Sequence, residues 1–111
     1  MKRDVVAVDA VLALSPEVDP RAPGGEVTVA LCGHWDHEGP CRWPHNSRID
    51  TEPSPAHLRT VIVVADADRQ EIAGRIEAAL RRDERWAVLA FSTGAINDEE
   101  RALADRLTKA T

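Results

Sequence analysis

The sequence predicts an α+β fold: a two-layer sandwich in which two helices cover one face of a mixed four-stranded sheet. Three observations carry this expectation. Four stretches of strand length are apolar and rich in β-branched residues, at 4–14, 26–32, 60–65 and 86–92. Two later stretches open on capping-box spacings, Asp68 with Glu71 and Asn97 with Glu100, and continue with apolar residues at helical period. The chain has 111 residues, 43% of them hydrophobic, enough for one core and too few for two. Residues 1–111 are therefore read as a single domain, in the order β-β-loop-β-α-β-α.

The first strand is DVVAVDAVLAL, residues 4–14. Residues 15–25 hold Pro16, Pro20, Pro23, Gly24 and Gly25 and read as a loop. EVTVALC then alternates, Val27, Val29 and Leu31 against Thr28, Ala30 and Cys32, so residues 26–32 are expected to close a hairpin with the first strand. From 33 to 58 the periodicity disappears, and this long Cys/His/Trp-rich stretch is expected to be a loop inserted between strands. Structureless loops beyond about 12–15 residues are uncommon in compact domains unless something holds them.

TVIVVA, residues 60–65, reads as a buried strand. Ile72, Ile76 and Leu80 then form one helical stripe, with Glu71–Arg75 and Glu77–Arg81 as i,i+4 pairs on the wet side. WAVLAFS is the last strand, and Leu103 with Leu107 marks the inner face of the last helix. The β-α-β unit implies a right-handed crossover and a parallel pair, which makes the sheet mixed. The first and third strands are apolar at both parities: Val6 and Val8 against Val5 and Val11, Ile62 and Val64 against Val61 and Val63. The second face therefore needs a cover, either the long loop with Trp35 and Trp43 or a second copy of the chain.

Charge and composition exclude some functions. A net charge of −5 lacks the footprint of a non-specific nucleic-acid binder, and Asp83 and Glu84 break up the basic cluster of Arg81, Arg82 and Arg85. No run of about 18 apolar residues exists to span a membrane. Asp4 and Asp9 interrupt what would otherwise follow Met1-Lys2-Arg3 as a signal peptide. The expected compartment is the cytoplasm, where Cys32 and Cys41 stay reduced and serve as ligands rather than as a disulfide.

The motif that bears most on function is CGHWDHEGPCRWPH, residues 32–45, which contains both cysteines and three of the four histidines. Cys32, His34, His37, Cys41 and His45 follow the spacing C-x-H-x2-H-x3-C-x3-H. Thiolate and imidazole at such separations suit tetrahedral zinc, and Gly33, Gly39 and Pro40 let the chain turn around an ion. The expected set is Cys32, His34, Cys41 and His45, or the same with His37 in place of His34. Iron, nickel or copper would accept the same donors. The Cys32-x8-Cys41 and Cys41-x3-His45 spacings resemble pieces of a CCCH-type zinc finger. The resemblance covers these fourteen residues only and lacks the middle cysteine, and the acidic charge keeps that family's RNA-binding role from being carried over.

Three functions are compatible with the motif. The first is a structural-zinc domain acting as an interaction or accessory protein, with Trp35 and Trp43 facing a protein partner or a homodimer mate. The second is a small metal-dependent hydrolase with Glu38 or Asp36 as general base. The third is a thiol-based metal or redox sensor using Cys32 and Cys41. Away from the motif, Ser92-Thr93-Gly94 is a candidate anion-binding turn, and Asp66 with Asp68 either caps a helix or meets Mg²⁺. His57 has no evident partner.

Overall fold

The computed structural model of the chain describes residues 3–32, 43–52 and 54–109. Its elements are β1 (Arg3–Leu14), α1 (Ala22–Cys32), β2 (His45–Asp50), β3 (Ala56–Ala65), α2 (Arg69–Arg82), β4 (Trp86–Gly94) and α3 (Arg101–Lys109). The strands form one sheet in the order β2-β3-β1-β4, and all three pairings are antiparallel. This is the interleaved β-α-β-β-α-β topology of ferredoxin-like sandwiches, with α3 added at the end. The two-layer α+β sandwich and the number of strands are as expected.

The expected parallel pair is absent. The crossover from β3 through α2 to β4 is made, but β1 lies between the two strands and pairs antiparallel with each. The cause is β1 itself, a twelve-residue strand apolar on both faces, which is more completely buried at the centre than at an edge.

Two elements were misread. Residues 26–32 belong to α1, not to a second strand. Val27 and Leu31, four apart, are buried at 0% and 4%, while Val29 between them is 38% exposed. A Val-x-Val-x-Leu run satisfies strand alternation and the helical i,i+4 pair equally, so β-propensity gave the wrong answer and tertiary packing decided. Pro23 sits in the first helical turn, where its missing N–H costs nothing. The second error is β2, which lies inside the expected 33–58 loop. HNSRID has one apolar residue, Ile49, so the period-two signal is carried only by its burial pattern against β3. β3 also starts earlier than expected, at Ala56.

The sheet separates two environments. Val6, Val8, Ala10 and Leu12 of β1 and Leu58, Ile62 and Val64 of β3 share a core with Val27 and Leu31 of α1 and Ile72, Ile76 and Leu80 of α2. Trp43 joins this core, with Arg75 of α2 stacked 5.0 Å from its ring centroid. Trp43 therefore packs under the two helices rather than across the opposite face. Trp35 lies outside the described residues. α3, expected beside α2, lies instead on the opposite face against β3, where its Ala104 is 2% exposed and its Leu103 lines a small cleft with Val61 and Arg59.

The Asn97–Glu100 capping box forms as expected: the Glu100 N–H donates to Asn97 Oδ1 at 2.9 Å and the Asn97 N–H to Glu100 Oε1 at 3.0 Å. Asp68 stands at the N-cap of α2 but makes no side-chain cap bond. The 3-10 turn Asp66–Asp68 leads into the helix instead. Both expected pairs on α2 are present, Glu77–Arg81 at 2.9 Å and Glu71–Arg75 at 3.5 Å.

Candidate functional site

Of the five expected donors, His45 is the one whose side chain falls among the described residues. His34, His37 and Cys41 lie outside them, as do Asp36 and Glu38, and Cys32 is described only as the last residue of α1. Among the described residues, no three His, Cys or carboxylate groups converge as a metal site.

His45 opens β2, and its surroundings are well defined. Pro44, just before it, accepts the Val63 N–H at 2.9 Å, which extends the β2–β3 ladder backwards. The Nδ1 of His45 lies 3.1 Å from the Trp43 carbonyl oxygen. A carbonyl only accepts, so Nδ1 carries a proton and donates it. In the neutral ring the lone pair is then on Nε2. Nε2 points at α1, 3.1 Å from Thr28 Oγ1. The Thr28 hydroxyl has one proton and two acceptors in reach, this lone pair and the Gly24 carbonyl at 3.1 Å, and donates to one of them at a time. Residue 32 lies one helical turn beyond Thr28 along the same face of α1. Both ends of the Cys/His-rich segment are thus anchored, one to a helix end and the other to a sheet edge bonded to that helix.

A cleft of about 400 Å³ opens beside His45, bordered by Thr28, Ser47, Arg48, Arg21 and Gly24. Pro20, Ile49 and Leu58 also line it, and the Ser47 hydroxyl at its border lies 2.8 Å from that of Thr60. A second cavity of about 450 Å³ lies between α2 and the sheet, walled by Val6, Val8, Ile62 and Ile72 and bordered by Thr93, with Asp66 and Arg69 paired at 3.3 Å at its mouth. Ser92, Thr93 and Gly94 are the last residues of β4, not a turn after it.

The second polar constellation went unread in the sequence. Arg59 of β3 donates two bonds to Glu100, Nε to Oε2 and Nη2 to Oε1, both at 2.7 Å, and a third from Nη1 to Asp9 Oδ2 at 2.8 Å. His57 Nε2 meets the other Asp9 oxygen at 3.2 Å, so His57 does have a partner. Donation from Arg59, against the opposing cost of burial, holds the Glu100 carboxyl far below its ordinary 4.5, at about 2, and the Asn97 N–H adds to this. The Arg59 guanidinium is raised in turn, first by Glu100. Two carboxylates already neutralise Arg59, which makes it a fastener of α3 to the sheet rather than a receptor for an anion. The one local signal is Asp9 in the middle of an apolar strand.

Compared with known proteins, the chain matches no family model, no curated relative and no solved structure. Among the described residues, no helix is long and apolar enough to cross a membrane.

Proposed function

We propose that the chain is a metal-stabilised interaction domain. In this reading zinc, held by Cys32, Cys41, His45 and either His34 or His37, closes residues 32–45 against the end of α1 and the start of β2. The observation that supports it most is the fixed ring of His45. Metal-ligating histidines usually give their other ring N–H to a backbone carbonyl or carboxylate, which sets the tautomer and aims the lone pair. His45 has that arrangement through Trp43, with Nε2 turned toward the helix that ends in Cys32. Coordination would require Nε2 to leave Thr28, whose hydroxyl keeps Gly24 as an acceptor.

Two thiolates donate charge to the ion and weaken it as a Lewis acid, which favours a closed structural site. A reducing compartment such as the cytoplasm would keep both thiols competent. The acidic charge favours a protein partner, or a second copy of the chain, over nucleic acid. Cobalt(II) added to metal-free protein should give the visible bands of tetrahedral coordination and a near-ultraviolet thiolate charge-transfer band. Both should weaken strongly in Cys41→Ser. A featureless spectrum in the intact chain would end this reading.

A further inference from the structure

The sheet's two outer strands are defended unequally. β2 has six residues and carries Arg48 and Asp50, short length and charge being the usual protection of an exposed edge. β4 has nine residues, and the chain carries no charged residue from Trp86 through Asn97. Leu89 within it is 58% exposed, the most of any large hydrophobic among the described residues. The edge device present is a bulge, seen as the register shift between Val11 and Leu12.

That bulge determines how the edge can pair. Val88 faces Leu12 on the helix-covered side, and Phe91 faces Ala10 on the same side. Ala90 faces Val11, and Ser92 faces Asp9, on the α3 side. Alternation from Val88 puts Leu89 on the α3 side as well, so Leu89 and Ala90 share a face. A regular incoming strand would match faces on one half of β4 and mismatch them on the other. A second β4, run antiparallel, cancels the shift. Leu89 then lies opposite Ala90 of the other copy, Val88 opposite Phe91, Ala87 opposite Ser92 and Trp86 opposite Thr93, each pair on one face.

Charge favours the same partner. A two-fold axis brings each residue near its own copy, where a central charge would meet itself. β4 has none. Arg82 and Arg85 before the strand are interleaved with Asp83 and Glu84, and Arg85 is paired with Asp83 at 2.7 Å, so the flank carries little net charge to oppose a second copy.

We propose that β4 is a self-pairing edge, and that two copies join through it about a two-fold axis between Leu89 and Ala90 into one eight-stranded antiparallel sheet. The proposal rests on the interaction-domain reading but needs no metal.

Sedimentation equilibrium of the purified full chain, up to about 0.5 mM, tests it. The expected mass is twice the 12.2 kDa of one chain. Leu89→Lys should raise the dimer dissociation constant about a hundredfold, since like charges then face each other across the axis. Ala90→Lys should act similarly, and Val29→Lys on the outer face of α1 should change nothing. Circular dichroism of each variant confirms that it remains folded. A monomeric wild type would overturn the proposal, as would a dimer indifferent to both β4 lysines or one broken by Val29→Lys. Capture of another protein's strand by a chain that stays monomeric alone would also overturn it. Metal content measured on the same samples separates this failure from failure of the zinc reading.

Discussion

The two edges of the sheet are built on different principles. β2 is polar and short, and side-chain bonds hold it: His45 between Trp43 and Thr28, Ser47 to Thr60, and Arg48 opposite Arg59 with Glu100 supplying the compensating charge. β4 is long and uncharged, and burial holds it, with Trp86, Val88 and Phe91 against the helices. Its one buried polar group, the Trp86 indole N–H, donates to the Leu80 carbonyl at the end of α2 at 2.9 Å. The lesson is one of sensitivity. An edge fastened by titratable groups, and on the zinc proposal by a ligand, should respond to pH and metal, whereas one fastened by apolar area should not.

Metal removal should therefore separate the edges most strongly. If the free ion stands about ten-thousandfold above its dissociation constant, chelation costs roughly 5 kcal/mol, or about 25 °C in melting temperature. Hydrogen exchange should then quicken in β2 and much less in β4. Uniform loosening, or no change in melting, would break the distinction.

Trp43→Ala comes next, at about 3–4 kcal/mol by chemical denaturation, because it empties a core site and removes the ring under Arg75. Trp86→Phe, which keeps most of the apolar bulk and loses the bond to Leu80, should cost about 1 kcal/mol.

The third test is acid. Glu100 has a folded-state pKa depressed from 4.5 to about 2, so its contribution is complete above 4.5 and is lost as pH falls toward 2. The full loss is about 3 kcal/mol, and Glu100→Gln should remove that part of the pH dependence. A variant that keeps the wild-type slope below pH 4.5 would detach Glu100 from the acid sensitivity. The smallest effect is Asn97→Ala, at about 1 kcal/mol, from loss of the cap on the 3-10 turn Asp98–Glu100 that leads into α3.

The same difference explains which parts of the fold could be read from sequence. β1, β3, β4, α2 and α3 are stabilised by apolar stripes or complete caps, and their periodicity shows in the residues themselves. α1 was misread because Val27-x-Val29-x-Leu31 fits both periods, and only the exposure of Val29 separates them. β2 was missed because its strand character comes from β3 beside it and not from its own composition. In the candidate site, the Cys/His spacing was legible, but the Trp43–His45–Thr28 arrangement was not, since it depends on a helix meeting a sheet edge. The Asp9–Arg59–Glu100 network spans 91 positions of sequence, and no local pattern could announce it.

Elemental analysis of the full chain, purified without added metal or chelator, tests the central claim most directly, with Cys41→Ser prepared in parallel. The account expects close to one zinc ion per chain in the wild type and a large deficit in the variant. A wild-type chain that carries no transition metal and takes up none at micromolar zinc would contradict it.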